Sequence, residues 1–188
     1  MPRVKLFDKE EAIKKAMELF WEKGYEATSL NNLTESLGIG KGSFYATFNS
    51  KRELFNICFD VYRNSNVPFI EQLLGSESNI KVGLQKLLEF NLEQLLNDQN
   101  HRGCFLANSC SEIVSENVNL QVKLVKHYKY IEQLLVNYMK SGQIQPRKAE
   151  SIAAMIVTFL IGMSQQSKIN RDRKKYSSSI NYLIGLLD

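Results

Sequence analysis

The chain reads as all-α, a three-helix helix-turn-helix unit followed by a larger helical unit, and three observations point there. Apolar residues recur at helical spacing along nearly the whole length, and no segment alternates convincingly with the period of a strand. Glycines stand where the periodic runs stop, at Gly24, Gly38, Gly75 and Gly142. Residues 28–51 spell two short helices joined by a glycine-bearing turn, and the second has a face that packing alone does not explain.

The first helix runs from about Lys9 to Lys23, with Ala12, Ile13, Ala16, Met17, Leu19, Phe20 and Trp21 at helical spacing and Gly24 closing it. Thr28 or Ser29 then offers an N-cap hydroxyl to the orphan amides of the next turn. Leu30, Leu33 and Leu37 form one stripe on a helix of about two turns, and Gly38 supplies the left-handed residue that ends it. Ile39 plugs the turn, Gly40 resets the chain, and Lys41 to Phe48 make the second short helix. Phe44 and Phe48, four apart, face inward, which leaves Lys41, Gly42, Ser43, Ala46 and Thr47 outward. Small residues at a helix start let the backbone approach a duplex, and the amides there attract phosphate oxygens. Taken by itself this stretch also fits an αα corner of an ordinary bundle. Ser50 is the next N-cap, with Glu53 three residues on completing a capping box.

The helix opened by Ser50 is expected over 51–63, and Pro68 with the loop 75–79 brackets a short helical piece. Ile80–Asn97 carries Ile80, Leu84, Leu87, Leu88, Leu92, Leu95 and Leu96 and is amphipathic. A polar loop over 98–103 precedes a compact helix over 105–113. Longer helices are expected over 117–141 and 147–166, and a last one over 177–187. The natural division is 1–50 and 51–188.

Read together, Ala16, Leu19-Phe20, Gly24-Tyr25, Thr28-Ser29, Leu37-Gly38-Ile39, Lys41-Gly42-Ser43-Phe44-Tyr45, Phe48, Lys51 and Leu54-Phe55 resemble the TetR family of transcriptional repressors over roughly the first 60 residues. The resemblance implies a helix-turn-helix DNA-binding domain at 1–50 and a helical ligand-binding and dimerisation domain at 51–188. It implies phosphate contacts from Thr28, Tyr45 and Lys51, and puts Lys41, Gly42 and Ser43 at the helix end that meets base edges. The two residues after the tyrosine, often aromatic or His in the family, are Ala46 and Thr47 here; their methyls suit thymine methyls but lack long polar arms. The resemblance also implies a homodimer on a pseudo-palindromic double-stranded operator, built from the last two helices. The candidate interface is Ile152, Met155, Ile156, Phe159, Met163, Ile180, Leu183, Ile184 and Leu187; the alternative is that these residues finish the core of one chain. A shorter stretch, Gly103-Cys104-Phe105-Leu106-Ala107-Asn108-Ser109, resembles a subgroup of the family. Cys104, at a helix start beside His101 and Arg102, is then either a thiol that senses electrophiles or oxidants or a small packed residue. Cys58, amid Phe55, Ile57 and Phe59, reads as core.

Composition agrees without deciding. The 188 residues are 44% hydrophobic and 23% charged, with a formal charge of +4. Residues 1–63 hold ten Lys/Arg against nine Asp/Glu, so placement rather than total charge must attract DNA; between Glu35 and Glu53 stand Lys41, Lys51 and Arg52 and no acid. Arg3 and Lys5 form either a mobile arm or a solvated tail. Met1 to Lys5 does not read as a targeting signal, and the apolar run 152–163 is too short to span a bilayer; a soluble cytoplasmic protein is expected. Three cysteines point to thiols rather than a structural disulfide.

Enzymatic readings find little support. His101 and His127 are the only histidines and neither sits at metal-ligand spacing with Cys or acids. Asp98 with His101, and Glu112 with Glu116, read as loop polarity and solvated helix faces. There is no phosphate loop or nucleophile elbow, so no catalytic residue, metal or cofactor is expected. Arg171 to Lys175 reads as a solvated loop rather than a nucleic-acid patch. The expected function is a regulator released from its operator by a small-molecule inducer. Phe59, Tyr62, Phe90, Phe105 and Tyr128 are candidate pocket linings, and the want of a charged cluster favours an apolar or neutral ligand. The alternatives are a switch by thiol modification at Cys104 and a DNA-binding protein with no ligand.

Overall fold

A computed structural model of the chain describes residues 7–112 and 118–188, and all the regular elements among them are helices. They are α1 (Lys9–Lys23), α2 (Leu30–Leu37), α3 (Lys41–Phe48), α4 (Lys51–Gly75), α5 (Ile80–Asn97), α6 (Phe105–Glu112), α7 (Val118–Ser141), α8 (Pro146–Gln166) and α9 (Arg173–Gly185). The expected helix bounds at Ile113 and Asn117, Glu116, and the arm residues Arg3 and Lys5 lie outside the described residues.

Local chemistry sets most helix ends. Asp8 caps α1 by accepting from the amides of Glu10 and Glu11. Ser29, not Thr28, caps α2, and the capping box is complete there: Ser29 Oγ accepts from Asn32 N–H while Asn32 Oδ1 accepts from Ser29 N–H. Gly38 closes α2 at φ 65°, where a side chain would be strained. At α4 the Ser50 hydroxyl accepts from Glu53 N–H. Asp172 caps α9 from the amides of Lys174 and Lys175, so that helix begins four residues before the expected start. Arg173, Lys174 and Lys175 are therefore a first helical turn rather than a loop, and Arg173 is paired with Glu93.

α4 departs most from expectation, because it continues unbroken through Pro68 to Gly75. Proline removes one helix hydrogen bond and crowds the carbonyl four residues back. Val67 and Leu74 are buried, with Ile70 and Leu73 packed against the same cluster, so tertiary contact on both sides of the proline keeps the helical register. The side chains of Ser65 and Asn66 both donate to Tyr62 O just ahead of it (2.9 and 2.7 Å).

Two apolar cores share the long helices. The first gathers α1, α2, α3 and the start of α4 with Phe105, Leu106, Leu120 and Leu124. The second joins the end of α4 to α5, α8, α9 and the later part of α7. Packing is close where the second core meets α7: a Cβ on Gly83 would lie 2.0 Å from Tyr138 Oη, and that hydroxyl donates to Glu77 O at 2.8 Å.

Candidate nucleic-acid interface and effector cavity

α3 is held by two rings. Phe44 and Phe48 are buried with centroids 5.6 Å apart, and they fix the helix against α2 and α4. The opposite face is then committed to solvent: Lys41, Gly42, Ser43, Tyr45 and Ala46 are exposed and Thr47 is half-buried. Gly40 is the N-cap and supplies no side-chain bond, so no side chain caps the first-turn amides on the exposed face. Tyr45 is 52% exposed, its ring set edge-on to Phe44 at 5.7 Å with the hydroxyl end free to reach outward. Thr47 Oγ1 donates to Ser43 O (2.8 Å), which turns its methyl outward or sideways rather than leaving a free hydroxyl.

Two expected contacts are placed differently. Thr28 is fully buried, and its hydroxyl donates to Gly24 O at 2.6 Å. It closes the α1–α2 junction and presents no side chain to a duplex, which corrects its assignment as a phosphate contact. Lys51 bends over the same junction: Nζ donates to Thr28 O at 2.8 Å and lies 4.2 Å from the Tyr25 ring centroid. Partial burial lowers its pKa, an effect the nearby Glu26 carboxylate opposes. The ammonium thus pins the start of α4 to the α1–α2 junction and still has donors to spare.

A second site lies where the two cores meet. A cavity of about 120 Å³ is lined by Tyr62, Asn66 and Ile70 of α4, Asn91 and Leu95 of α5, Cys104, Leu106 and Ala107 at α6, His127, Tyr128 and Ile131 of α7, and Val157, Leu160, Ile161, Met163 and Ser164 of α8. Tyr62 and Tyr128 are where the sequence put them. Phe59 and Phe105 are not: both are fully buried in the first core, and Phe105 packs on Phe55 and Tyr62 at 5.3 and 5.5 Å. Phe90 packs on Phe69 at the outer surface (4.4 Å) and lines not this cavity but an outer groove that shares Tyr62, Asn66, Asn91, Leu95 and Cys104 with it. His127 was missed as a lining residue; its place four residues before Ile131 on one stripe of α7 was the available signal.

Cys104 forms part of the cavity wall. Its amide donates to Ser164 Oγ (2.7 Å), and the Tyr62 hydroxyl donates to its sulfur at 3.7 Å. Arg102 does not face it as an activating charge. The guanidinium pairs with Asp98 and Glu18 and lies 4.4 Å from the Trp21 ring centroid. Burial works against the Asp98 carboxylate, but hydrogen bonds from Arg102 outweigh it and hold its pKa below the usual range. Burial of Cys58 and its contact with Ile13 O confirm a packed thiol, and desolvation pushes its pKa far up.

The segment 98–112 touches both sites. Trp21 Nε1 of α1 donates to Gly103 O (3.1 Å), Arg102 reaches Glu18, and the Tyr25 amide donates to Glu112 Oε2 at 2.7 Å. On the other side Asn108 Oδ1 accepts from Gln165 of α8 (3.1 Å). Side chains from this one segment therefore line the cavity and hold α1.

The expected dimer stripe divides. Ile152, Ile156, Met163, Ile180, Ile184 and Leu187 are buried within the single chain and build the second core, while Leu183, buried there too, also lines the outer trough of α8 and α9. An inward stripe at helical spacing looks the same in sequence whichever partner covers it. Met155 is 47% exposed and Phe159 half-buried. With Ala154, Thr158, Tyr182 and Leu186 they line a shallow apolar trough along α8 and α9. Among the described residues there is no His, Cys, Asp and Glu cluster able to hold a metal, and no helix long and apolar enough to cross a membrane.

Comparison with known proteins places this geometry. Residues 12–58 match the model of bacterial regulatory proteins of the tetR family, and residues 82–176 match the LmrA/YxaF-like transcriptional regulator C-terminal domain. The chain is 29% identical to the HTH-type transcriptional repressor ComR of Escherichia coli K12, over 86% of this chain and 80% of that protein. It is 25% identical to the repressor BdcR of the same organism over 88% and 82%. The regulator CifR, in a cysteine-mutant form solved with a 26-base-pair operator DNA, superposes with a TM-score of 0.85 at 25% identity, covering 97% of this chain and 98% of that one.

Proposed function

We propose, from the premise that this chain belongs to the TetR family of transcriptional regulators, that it is a repressor released from its operator by a small molecule bound in the C-terminal cavity. The observation that carries the reading is the outward face of α3. It combines first-turn amides that no side chain caps, two residues without bulk (Gly42 and Ser43), one exposed lysine, and a tyrosine that stays half exposed while its ring leans on Phe44. In this reading Lys41, Gly42, Ser43, Tyr45 and Thr47 meet the duplex, Lys51 adds a phosphate contact, and residues 1–50 act as reading head to the larger unit 51–188. The trough of Met155, Phe159 and Tyr182 pairs with the same trough of a second copy, which sets two α3 helices in successive major grooves of a pseudo-palindrome.

Release follows from differential affinity between two arrangements. A compound in the cavity presses on Cys104, Leu106 and Tyr62. Because segment 98–112 also holds α1 through Gly103, Arg102 and Glu112, and α4 carries Tyr62, the arrangement that fits the ligand differs from the one that spaces the two heads for DNA. The stretch Gly103 to Ser109 is read as the mark of a subgroup that keeps this joint.

The test is binding to DNA from upstream of the chain's own gene, followed by selection from random duplexes, by anisotropy across a salt series with non-specific competitor. A saturable, competitor-resistant complex weakened by Tyr45→Ala supports the reading. Lys41→Ala should reduce the salt slope by about one contact. No preferred sequence from either source rejects it.

A further inference from the structure

The cavity at the junction of the cores has a chemistry of its own. Its wall contains no Lys, Arg, Asp or Glu. An ion there would be desolvated with no counter-charge on the wall itself and only Arg63 behind His127, a cost of several kcal/mol in order of magnitude, so charged ligands are disfavoured. Its volume of about 120 Å³ is slightly below that of apolar cavities of about 150 Å³ that accommodate benzene. The buried part of any occupant is therefore one six-membered ring or its equivalent.

Two polar groups on the wall, His127 and the Tyr128 hydroxyl, lack a strong partner, and the Tyr62 hydroxyl has the Phe105 amide and a thiol beside it. His127 is 7% exposed, and among the described residues its Nδ1 has no hydrogen-bond partner. Burial, helped by the nearby Arg63 charge, lowers its pKa to about 4, so the ring is neutral at pH 7. The Tyr62 hydroxyl donates to the Cys104 sulfur at 3.7 Å, and the Tyr128 hydroxyl accepts from the Cys110 sulfur at 3.7 Å. Thiols are weak partners for a phenol. A buried nitrogen with no partner normally costs enough that native structures fill it.

We infer that the cavity binds an uncharged compound whose buried part is one ring in size and carries a hydroxyl, which bonds to His127 Nδ1 and to a tyrosine hydroxyl of the wall. A hydroxyl fits because it both donates and accepts, and so satisfies the neutral imidazole in either tautomer. A carboxylate or an ammonium brings charge, and a pure hydrocarbon leaves Nδ1 bare. Asn66 and Asn91, shared between the cavity and the outer groove, mark the route by which a larger substituent would extend outward. The inference rests on the ligand-responsive reading but is tested without DNA.

The probes are phenol, benzene, benzoate and benzylamine, titrated into the full chain by calorimetry or ligand-detected NMR. Phenol should bind about tenfold more tightly than benzene, the equivalent of one net hydrogen bond, and the two ions should not bind measurably. In His127→Leu, which keeps an apolar side chain of similar size, the preference for phenol should disappear while benzene still binds. Val157→Phe, which fills the cavity, should remove both. Because the readout is a ratio within each variant, a variant that merely unfolds is recognised by losing both ligands and its helical signal. Benzene binding as tightly as phenol, either ion binding better, no probe binding, or a phenol preference that survives in His127→Leu overturns the inference. Operator binding measured without any probe decides the regulator reading separately.

Discussion

The two cores of this chain are made of different side chains. Around α1 to α4 and α6 the largest fully buried side chains are rings, Phe20, Phe44, Phe48, Phe55, Phe59 and Phe105, with Leu33 and Leu54 beside them. Around α5, α8 and α9 they are Leu84, Leu87, Leu88, Leu92, Leu135, Met139, Ile156 and Ile180, with Tyr176 as the buried aromatic. In the first core Phe55 meets Phe20, Tyr25 and Phe105 at centroid distances of 5.0, 5.1 and 5.3 Å, two of the contacts edge-on. Rings with two torsions each, locked edge to face, fix how α1 and its following turn sit on α4. Aliphatic side chains have more ways to repack, and the cavity lies at the junction, its wall drawn from both cores. The contrast predicts that the first core is the stiffer of the two and the second the more adaptable.

The sharpest way to break that comparison is to delete one residue from each core. Phe55→Ala should cost about 3–5 kcal/mol, since its neighbours are rings that cannot close the gap. Leu88→Ala, equally buried, should fall toward the lower end of about 2–5 kcal/mol because its surroundings relax. Urea midpoints at unchanged slope would measure both. If Leu88→Ala proves the costlier, the difference in stiffness is wrong.

The junction between the cores should be pH-sensitive through His127. Its folded pKa of about 4 lies below the ordinary 6.5, so between these values the unfolded chain binds a proton that the folded chain refuses. Stability is then full above about pH 6.5 and is lost as pH falls toward 4, by at most about 3 kcal/mol. Carboxylates also titrate near the acid end, so the informative quantity is the difference between the wild type and His127→Leu, in which this part of the slope should vanish. Identical pH profiles would mean that the imidazole is not held neutral by burial.

Close approach in the second core gives a smaller effect. In Gly83→Ala the new methyl would meet Tyr138 Oη, which must swing away from Glu77 O. A loss of about 1–3 kcal/mol is expected. Tyr138→Phe in the same background should recover part of it, because the clashing oxygen goes. Without such recovery the clash lies elsewhere and the second core is less adaptable than argued.

How far the sequence was legible follows the same divide. The first core and the exposed face of α3 could be read in advance because each depends on neighbours close in the chain: Leu33 and Leu37 inward, Phe44 and Phe48 inward, Gly38 at the turn. Where the answer depended on distant partners, spacing was silent. Val67 and Leu74 carry α4 through Pro68 because they join the second core, where α5 packs against α4. Thr28 looked like a free hydroxyl, but Gly24 O takes its proton and Lys51 covers the junction. The stripe from Ile152 to Met163 was correctly periodic, yet periodicity cannot say whether the cover is α5 of the same chain or α8 of another copy. Phe59 and Phe105 likewise share the aromatic character of a ligand wall while belonging to the core that has no room for a ligand.

The smallest predicted effect probes the joint between the two regions. Trp21 packs edge-on to Tyr62 (5.2 Å) and Phe105 (6.2 Å), lies under Arg102, and gives its indole N–H to Gly103 O. Trp21→Phe keeps a ring in the same place and removes the hydrogen bond with much of the cation–π contact, for about 1 kcal/mol. Followed by circular dichroism in urea, the variant should show a single transition with a lower midpoint and an unchanged slope. The reason is that α4 and α7 run through both cores, so neither can unfold while the other keeps those helices intact. A split transition would show instead that the Trp21–Gly103 joint, and not the shared helices, makes the stiff core and the adaptable one unfold together.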